Sequence, residues 1–475
     1  MSRVAIIGAG VAGLAAAYRL HQSGHDVTVL EAKSHAGGLS QTARDGSVVT
    51  ELHDGERVAQ TVRLPEGHYV NLGPGRLPHH HRRMLGLCHE LGVELETYIM
   101  SSDANLYADT ATGGRYSRRR LANDMRGYVA EKAYAGLSGD GAEMARAFGD
   151  LDGEGIYRGT GRSPGTPLKR DELARMRAWQ HLFLQPLSHY WQNTLFQPVG
   201  GMDRVWRAIL AQVEDSVQYN APVQRIQQRR NRVQVTWTWG GYRTSESFDW
   251  CLSSAPLPHV AEHVELKGFD REFTDAVESV EFAPACKVGW YSRTRWWEDE
   301  EIYGGISYSD HDIQQFWYPS SGHFGADGGT LTGAYNSYEA AERFQAMSVP
   351  DRIATARQGG SLLHEQVADP SIIPTENAAT VAWARVPYQR GGWAHWRPDD
   401  PKHRAALATL RQPAGRFGVI GDQVSDWPGW QEGAVWSAER ALAWIHDEPT
   451  GGAEPAETEV PDSRWLTTGV PGGTG

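Results

Sequence analysis

The chain begins with a strand, a turn, a helix and a second strand, and the turn carries three glycines. In chain order the unit contains residues 4–7, Gly8, Gly10, residues 11–20 with Gly13, residues 27–30 and Glu31. The first glycine allows a tight turn, the second removes a side chain that would block a pyrophosphate, and the third lets the helix pack on the strand. The helix N-terminus points free N–H groups at the anion, and the carboxylate follows at the offset of about 20 residues that suits a ribose hydroxyl. The unit predicts a Rossmann-like domain that binds a dinucleotide.

Composition excludes several other classes of protein. The chain has 475 residues, 40% of them hydrophobic and 22% charged, which is enough for two or three domains with cores of their own. A formal net charge of −12 argues against a nucleic-acid partner, because phosphate binding needs clustered Lys and Arg. No apolar run approaches the ~20 residues that span a bilayer, so we expect no membrane helix.

Cysteine and histidine usage bears on compartment and metals. The three cysteines, Cys88, Cys251 and Cys286, are scattered and odd in number, which fits a reduced compartment without a disulfide framework. We therefore expect a cytoplasmic protein, and we expect a homodimer. The clustered histidines are His79, His80, His81 and His89. We predict no metal site from them, because His80 and His81 would point apart on a helix and carboxylates at ligand spacing are missing.

A second glycine pair directly follows the first unit and resembles a motif of the flavin amine oxidase superfamily. Gly37 and Gly38 stand where that family reads Gly-Gly-Arg, and Leu39 replaces the arginine. In the family this pair extends the cradle along the FAD pyrophosphate and the arginine adds charge. The resemblance implies FAD as the cofactor. Because Leu39 replaces the arginine, its contact with the pyrophosphate must be weaker here or supplied by another residue. No second three-glycine turn is present for NAD, so we expect electrons to leave to oxygen or another acceptor.

Later segments resemble other parts of the same FAD site. A strand at 417–422 ends in Gly-Asp, and a Gly-Trp segment precedes a helix predicted at 435–446, whose N-terminus lies under the flavin in the family. Residues 221–226 resemble the part that touches the adenine. The resemblance implies cofactor contacts from Gly75, Arg76, Val223, Gly421, Asp422, Gly429, Trp430 and Gln431. No cysteine follows Cys286, so the C-terminal cysteinyl link of monoamine oxidases is impossible and we expect noncovalent FAD.

Residues 69–78 resemble the segment that presents an arginine to the substrate carboxylate in L-amino acid oxidases. Arg76 stands at that position. A guanidinium fork matches a carboxylate with two parallel hydrogen bonds and keeps its charge, which suits it to this role better than lysine. The resemblance therefore implies that Arg76 binds the carboxylate of an amino acid substrate.

A long segment around residues 286–305 resembles the same oxidases, and Lys287 falls on the family's lysine. By strand periodicity Ala285, Lys287 and Gly289 face one side, which places one ammonium in an otherwise apolar strand. Burying that charge alone would be costly. In the family this lysine holds a water against flavin N5, and Tyr335 falls where a phenol gives a second ligand to the carboxylate.

The resemblance covers nearly all of residues 1–447 and implies a mixed α/β (α+β) fold. It implies a Rossmann-like FAD-binding domain from residues 1–70, 200–283 and 415–447, and an interleaved substrate domain on a mixed β-sheet from 71–105 and 284–414. Residues 106–199, with glycine-rich loops at 153–165, would form a helical insertion, and 448–475 a disordered tail. Residues 45–65 are an addition to the family pattern, predicted as a polar hairpin that turns at Asp54-Gly55.

The function implied is FAD-dependent oxidation of a large or aromatic L-amino acid. Arg76 and Tyr335 would hold the carboxylate, a carbonyl near Gly429 the amine, and Trp430 would border the substrate. The products are an imino acid, which hydrolyses to a 2-oxo acid and ammonia, and H2O2 from O2. In the family the segments of Trp383, Trp393, Trp396 and Trp430 border the active site, and we expect some of these indoles, which spacing does not identify, to form the walls beside the flavin. Three alternatives stay open: a monooxygenase that forms an amide, an oxidase of amines that lack a carboxylate, and a flavin-binding protein without turnover.

Overall fold

The computed structural model describes residues 1–134, 139, 168–184 and 191–446. The strands are β1 Arg3–Ile7, β2 Asp26–Leu30, β3 Thr42–Ala43, β4 Val48–His53, β5 Glu56–Thr61, β6 Val70–Asn71, β7 Leu77–Pro78, β8 Leu95–Tyr98, β9 Leu106–Asp109, β10 Gly114–Ser117, β11 Leu195–Pro198, β12 Val217–Gln218, β13 Val223–Gln228, β14 Val233–Trp239, β15 Tyr242–Phe248, β16 Trp250–Ser253, β17 Glu265–Lys267, β18 Phe282–Ala283, β19 Ala285–Ser292, β20 Ile306–Ser309, β21 Gln315–Trp317, β22 Gly329–Ser337, β23 Ala378–Ala382, β24 Trp393–Ala394 and β25 Phe417–Val419. The α-helices are α1 Val11–Gln22, α2 Arg82–Glu90, α3 Arg118–Tyr134, α4 Arg170–Arg175, α5 Asp203–Leu210, α6 Leu257–His263, α7 Arg271–Glu278, α8 Trp296–Asp299, α9 Tyr338–Ala346, α10 Val349–Ser361, α11 Pro401–Leu410 and α12 Gln431–Ile445.

A five-stranded parallel sheet contains the N-terminal glycine unit. Its strand order is β12–β2–β1–β16–β25, and every neighbouring pair runs parallel. Apolar residues of α1 and α12 cover one face, while the other face joins the core beneath β13 and β14. Burial on both faces explains why the strands read as continuous apolar runs. The strand, turn, helix and strand predicted at residues 4–31 are confirmed as β1, α1 and β2.

A seven-stranded mixed sheet forms a second layer, as predicted. Its order is β10–β9–β20–β21–β22–β19–β23, with β9 and β20 parallel and the other neighbours antiparallel. Strands β19 and β22 place Lys287 opposite Tyr335. The mixed helix and sheet fold is therefore as expected. The domain boundaries stay a prediction, and part of the helical insertion, its loops at 153–165 and the tail at 448–475 lie outside the described residues.

The hairpin predicted at residues 45–65 is confirmed. Strands β4 and β5 pair antiparallel around Asp54 and Gly55, whose φ angles are 52° and 86°. Two successive positive φ angles are typical of the type I′ turn, which matches the twist of paired strands.

The described residues bear on two sequence predictions, the absence of a metal site and the absence of a membrane helix. Within the described ranges, no group of three or more His, Cys, Asp or Glu is arranged to hold a metal ion. Helix α2 begins at Arg82, so His80 and His81 precede the helix, and their predicted placement on it was wrong. No helix in the described part of the chain combines the length and apolarity required to cross a bilayer.

Candidate active site

A deep cleft runs from the glycine turn of the parallel sheet to the face of the mixed sheet. It encloses about 1430 Å³, counting its open mouth. The predicted cofactor residues that line it are Gly8, Gly10, Glu31, Gly37, Gly38, Val223, Gly421, Asp422, Gly429, Trp430 and Gln431. Lys287 and Tyr335 line its other end. Gly13, Gly75 and Arg76 are not part of the lining.

The glycine turn has the packing expected of a dinucleotide site. A Cβ atom added at Gly13 would lie 1.9 Å from the carbonyl oxygen of Gly8, so only glycine allows helix α1 to approach β1 this closely. The carboxylate of Glu31 accepts hydrogen bonds from the N–H groups of Ala9 at 2.7 Å and Lys33 at 2.9 Å. These bonds fix the carboxylate in the wall of the cleft, as a ribose ligand requires.

The second glycine pair brings two backbone segments together. Gly37 and Gly38 have φ angles of 108° and 55°, and a Cβ at Gly38 would lie 3.1 Å from the Cα of Gly10. The surface left between them is bare backbone, which fits a pyrophosphate. Lys33, which was not predicted, lines the same cleft. Burial lowers the pKa of its ammonium, and Glu31 acts in the opposite direction. Lys33 is a source of positive charge that Leu39 does not provide.

The C-terminal part of the cleft is organised around Asp422. Its carboxylate accepts a hydrogen bond from the Gly429 N–H at 2.7 Å, and burial raises its pKa to about 6. Gln431 donates to the Ser40 hydroxyl at 2.8 Å, which ties this segment to the second glycine pair. Helix α12 begins at Gln431, so the helix start predicted at residue 435 was four residues too late.

Lys287 is buried at the end of the cleft. Its side chain is 2% exposed, and Nζ donates to the carbonyl oxygens of Asn71 at 3.2 Å and Gly73 at 2.5 Å. Burial lowers the pKa of the ammonium to about 7, and the positive charge of Arg76 acts in the same direction. The predicted alternation is confirmed, since Ala285 and Lys287 line the cleft while Cys286, Val288 and Trp290 pack in the core.

Arg76 lies in a cage of four aromatic rings. Its guanidinium carbon lies 4.2, 5.2, 5.5 and 5.9 Å from the ring centres of Trp191, Trp317, Trp430 and Tyr98, which we call the aromatic cage. Arg76 is 6% exposed and its buried Nε has no hydrogen-bond partner. No carboxylate of the described residues forms an ion pair with it. Because an unpaired buried charge is costly, the site is suited to receive an anion.

Tyr335 adjoins Lys287 and Trp317. Its ring lies 4.8 Å from Lys287 Nζ and packs edge-on against Trp317, with ring centres 5.2 Å apart. Burial raises the pKa of the phenol, with the charge of Arg76 opposing this effect, so the hydroxyl stays protonated and is available as a donor. The structure thus brings Arg76, Lys287 and Tyr335 into one cluster, as the sequence analysis predicted.

The predicted tryptophan walls are partly right. Trp383, Trp393 and Trp430 line the cleft, but Trp396 packs in the core and donates its indole N–H to the Gln423 carbonyl at 2.6 Å. Some of the four tryptophans therefore line the cleft, as predicted, and Trp396 is not one of them. Three members of the aromatic cage, Tyr98, Trp191 and Trp317, belong to no recognisable sequence motif and were not predicted.

Gly75 sets the position of the aromatic cage. A Cβ atom there would lie 2.5 Å from the Trp317 ring, whereas a Cβ at Gly86 on helix α2 meets nothing within 4 Å. We expect Gly75→Ala to push Trp317 away from Arg76 and Lys287 and to lower kcat/KM about tenfold or more, since small misplacements at a site are costly. Steady-state kinetics of Gly75→Ala beside the matched Gly86→Ala variant measure this. Equal kinetics in both variants would contradict it.

Comparison with known proteins adds to this geometry. A family model described as flavin containing amine oxidoreductase matches residues 11–443. The L-amino acid oxidase Bs29 of Bothriechis schlegelii is 25% identical over 485 residues, covering 94% of this chain and 91% of that protein. An L-amino-acid oxidase of Mus musculus is 27% identical over 473 residues, covering 94% of this chain and 71% of that protein.

Solved structures with the same fold include two amine oxidases. Putrescine oxidase bound to putrescine superposes with a TM-score of 0.62 at 19% identity, covering 94% of this chain and 99% of that chain. Cyclohexylamine oxidase from Brevibacterium oxydans IH-35A has 16% identity and covers the same shares of both chains. At these identities the likeness concerns the fold alone.

Proposed function

The chain belongs to the flavin containing amine oxidoreductases and is an FAD-dependent enzyme, and we propose that it oxidises the α-amine of an L-amino acid. The observation that carries the proposal is Arg76, a buried guanidinium whose Nε has no partner. A substrate carboxylate would supply the missing negative charge, and the planar fork can bind it with two parallel hydrogen bonds. The relatives at about 25% identity, which are L-amino acid oxidases, support the same substrate class.

The residues around the cleft have complementary tasks in this proposal. FAD held by the glycine turn and Asp422 would supply the two-electron oxidation at the substrate Cα. The Tyr335 hydroxyl donates to the carboxylate beside Arg76, and a carbonyl near Gly429 receives the amine. Trp383 and Trp393 exclude water, so that orientation supplies much of the rate. Lys287, with a pKa of about 7 because it is buried, can hold or release a proton at Nζ near neutral pH.

The overall reaction converts an L-amino acid, O2 and water into a 2-oxo acid, ammonia and H2O2. The indoles of Trp383, Trp393 and Trp430 in the cleft favour a large or aromatic substrate side chain, because such rings pack well against indoles. A second candidate is oxidation of an amine without a carboxylate. One observation favours it: Arg76 is absent from the lining of the cleft, and the rings around it already stabilise its charge.

The deciding experiment measures peroxide release by the purified, flavin-loaded protein. The panel contains L- and D-amino acids and the corresponding amines without a carboxylate. We expect aromatic L-amino acids to give peroxide and a 2-oxo acid in equal amounts, with slower turnover of the amines. Turnover of amines alone would replace the proposal with the second candidate. An amide product would identify a monooxygenase, and a flavin that no compound bleaches in the absence of oxygen would argue against turnover.

A further inference from the structure

The hairpin of β4 and β5 covers the open edge of β23, the last strand of the mixed sheet. The side chain of Gln60 accepts a hydrogen bond from the Thr380 N–H at 3.0 Å and donates to the Ala378 carbonyl at 3.1 Å. The Glu51 carboxylate accepts from the Ala382 N–H at 2.7 Å. Side chains of the hairpin thus satisfy an edge that would otherwise expose unpaired backbone groups.

Glu51 also forms a buried ion pair. Its two oxygens lie 2.7 and 2.8 Å from the terminal nitrogens of Arg352, and the two residues are 1% and 0% exposed. Burial alone would raise the pKa of this carboxyl, but the Arg352 guanidinium outweighs it and holds the pKa below its usual range. His53 contacts the second oxygen at 3.0 Å, and Arg352 donates from Nε to the Phe344 carbonyl. A charge pair this enclosed fixes geometry because neither partner tolerates separation.

The ion pair is connected to Lys287 through one residue. Arg352 lies 3.4 Å from the Thr380 hydroxyl, and that hydroxyl donates to the backbone carbonyl of Lys287 at 2.8 Å. The next residue after Ala382 is Trp383, which lines the cleft and donates its indole N–H to the Leu72 carbonyl at 3.0 Å. The carboxylate of Glu51 therefore contacts β23. This strand binds the backbone of Lys287 and is followed directly by Trp383, and both residues line the cleft.

We propose that Glu51, with Arg352 as its ion-pair partner, is a positioning residue that sets where Lys287 and Trp383 stand in the cofactor cleft. The inference rests on the proposed amine oxidation but not on the identity of the substrate. Glu51 is not among the residues that line the cleft and acts through β23. The hairpin, which is an addition to the family pattern, thus helps to position residues of the cleft, a role that its exposed, polar sequence did not indicate.

The test uses three variants in the full-length, flavin-loaded protein. Glu51→Gln removes one charge. Glu51→Gln with Arg352→Met removes both charges. The double variant leaves no unpaired charge buried, so it keeps the test possible if the single variant fails to fold. Gln60→Ala leaves the ion pair intact and releases Thr380 and Ala378. The matched control is Glu56→Gln, which changes an exposed carboxylate on the same hairpin.

We expect kcat to fall about tenfold to a hundredfold in the double variant with KM little changed, because small shifts of reacting groups have effects of this size. Burial lowers the pKa of Lys287 to about 7, so this residue should give the pH–rate profile a midpoint near that pH. In the double variant the midpoint should move to higher pH, because water that reaches the ammonium stabilises its charged form. Gln60→Ala should show the same changes to a smaller degree, and Glu56→Gln neither. A folded, flavin-loaded double variant with the kcat and pH profile of the parent would overturn the proposal.

Two readouts do not depend on turnover. Hydrogen exchange of the backbone at 285–289 and 378–385 should accelerate in the double variant, and the absorption spectrum of the bound flavin should shift as Lys287 and Trp383 move. Kinetics are measured with whichever amine or amino acid the parent oxidises best. If amino acids prove not to be substrates, the proposed function fails while these measurements still decide the role of Glu51. Unchanged exchange and an unchanged spectrum would contradict it.

Discussion

Replacement of Arg76 by methionine is expected to lower kcat/KM for an aromatic L-amino acid by about 30-fold to several thousand-fold. This range corresponds to the ~2–5 kcal/mol lost when one partner of a buried charge pair is removed. Methionine keeps apolar volume inside the aromatic cage but offers nothing to a carboxylate. The measurement compares L-phenylalanine with 2-phenylethylamine, which has the same ring and amine without the carboxylate. In the variant, the preference for the amino acid should disappear.

A matched control separates this effect from general damage to the fold. Arg295 is also largely buried, lies 5.1 Å from the Trp297 ring and pairs with Glu298 instead of facing the cluster at the cleft. Arg295→Met is therefore expected to lower stability while leaving the ratio of kcat/KM for the two compounds unchanged. If Arg76→Met kept the parent's preference for the amino acid, the carboxylate would bind elsewhere and the substrate proposal would fail.

Replacement of Lys287 by methionine is expected to lower turnover about a hundredfold or more, the usual effect of removing a group that moves a proton. In the parent enzyme the charge on Nζ changes near pH 7, because burial lowers the pKa to about that value. The bend that this produces in the pH–rate profile should vanish in the variant. A variant that retains both the rate and the bend would show that Lys287 takes no part in the reaction.

The same substitution is expected to stabilise the protein at neutral and acidic pH. The ordinary pKa of 10.5 applies to Lys287 in the unfolded chain, whereas the folded chain takes up the proton only below about 7. Between these two pKa values Lys287 must lose its proton when the chain folds. The resulting loss of folding free energy is absent above pH 10.5, grows as the pH falls, and reaches its full value below pH 7. Between pH 9 and 7 the advantage of Lys287→Met should grow by about 2–3 kcal/mol. Denaturant unfolding at the two pH values measures it, and an advantage independent of pH would contradict the buried-lysine account.

Local patterns predicted the parts of the site that depend on short stretches of chain. The glycine turn, the exposure of Lys287 to the cleft and the turn at Asp54 each follow from the backbone needs of a few adjacent residues. The start of helix α12 was misplaced because Gly433 discourages helix formation by its intrinsic propensity. Packing explains the difference: a Cβ at Gly433 would lie 2.1 Å from the Ser425 hydroxyl oxygen, so this position in the helix accepts only glycine.

The aromatic cage and the buried ion pair, which were not predicted, depend on residues far apart in the chain. Trp191 and Trp317 meet at Arg76 from separate segments, and spacing does not reveal which of 18 tryptophans will converge. Glu51 and Arg352 are 301 positions apart. The hairpin itself was predictable from its turn, but its buried carboxylate resembled any other charge on a polar strand. Such pairings are set by the tertiary fold, which a single sequence does not display.

The order of strands in the parallel sheet has a consequence for biosynthesis. Strand β1 lies beside β16, and β16 lies beside β25, which a ribosome adds much later than β1. Asp422 follows Gly10 by about 400 residues, so the nascent chain carries the glycine turn over that whole length of synthesis without the wall that faces it. Contacts this distant along the chain form late. We therefore expect flavin capture only after α12 has been synthesised, and a chain that stops before α12 would leave the nucleotide cradle open to water.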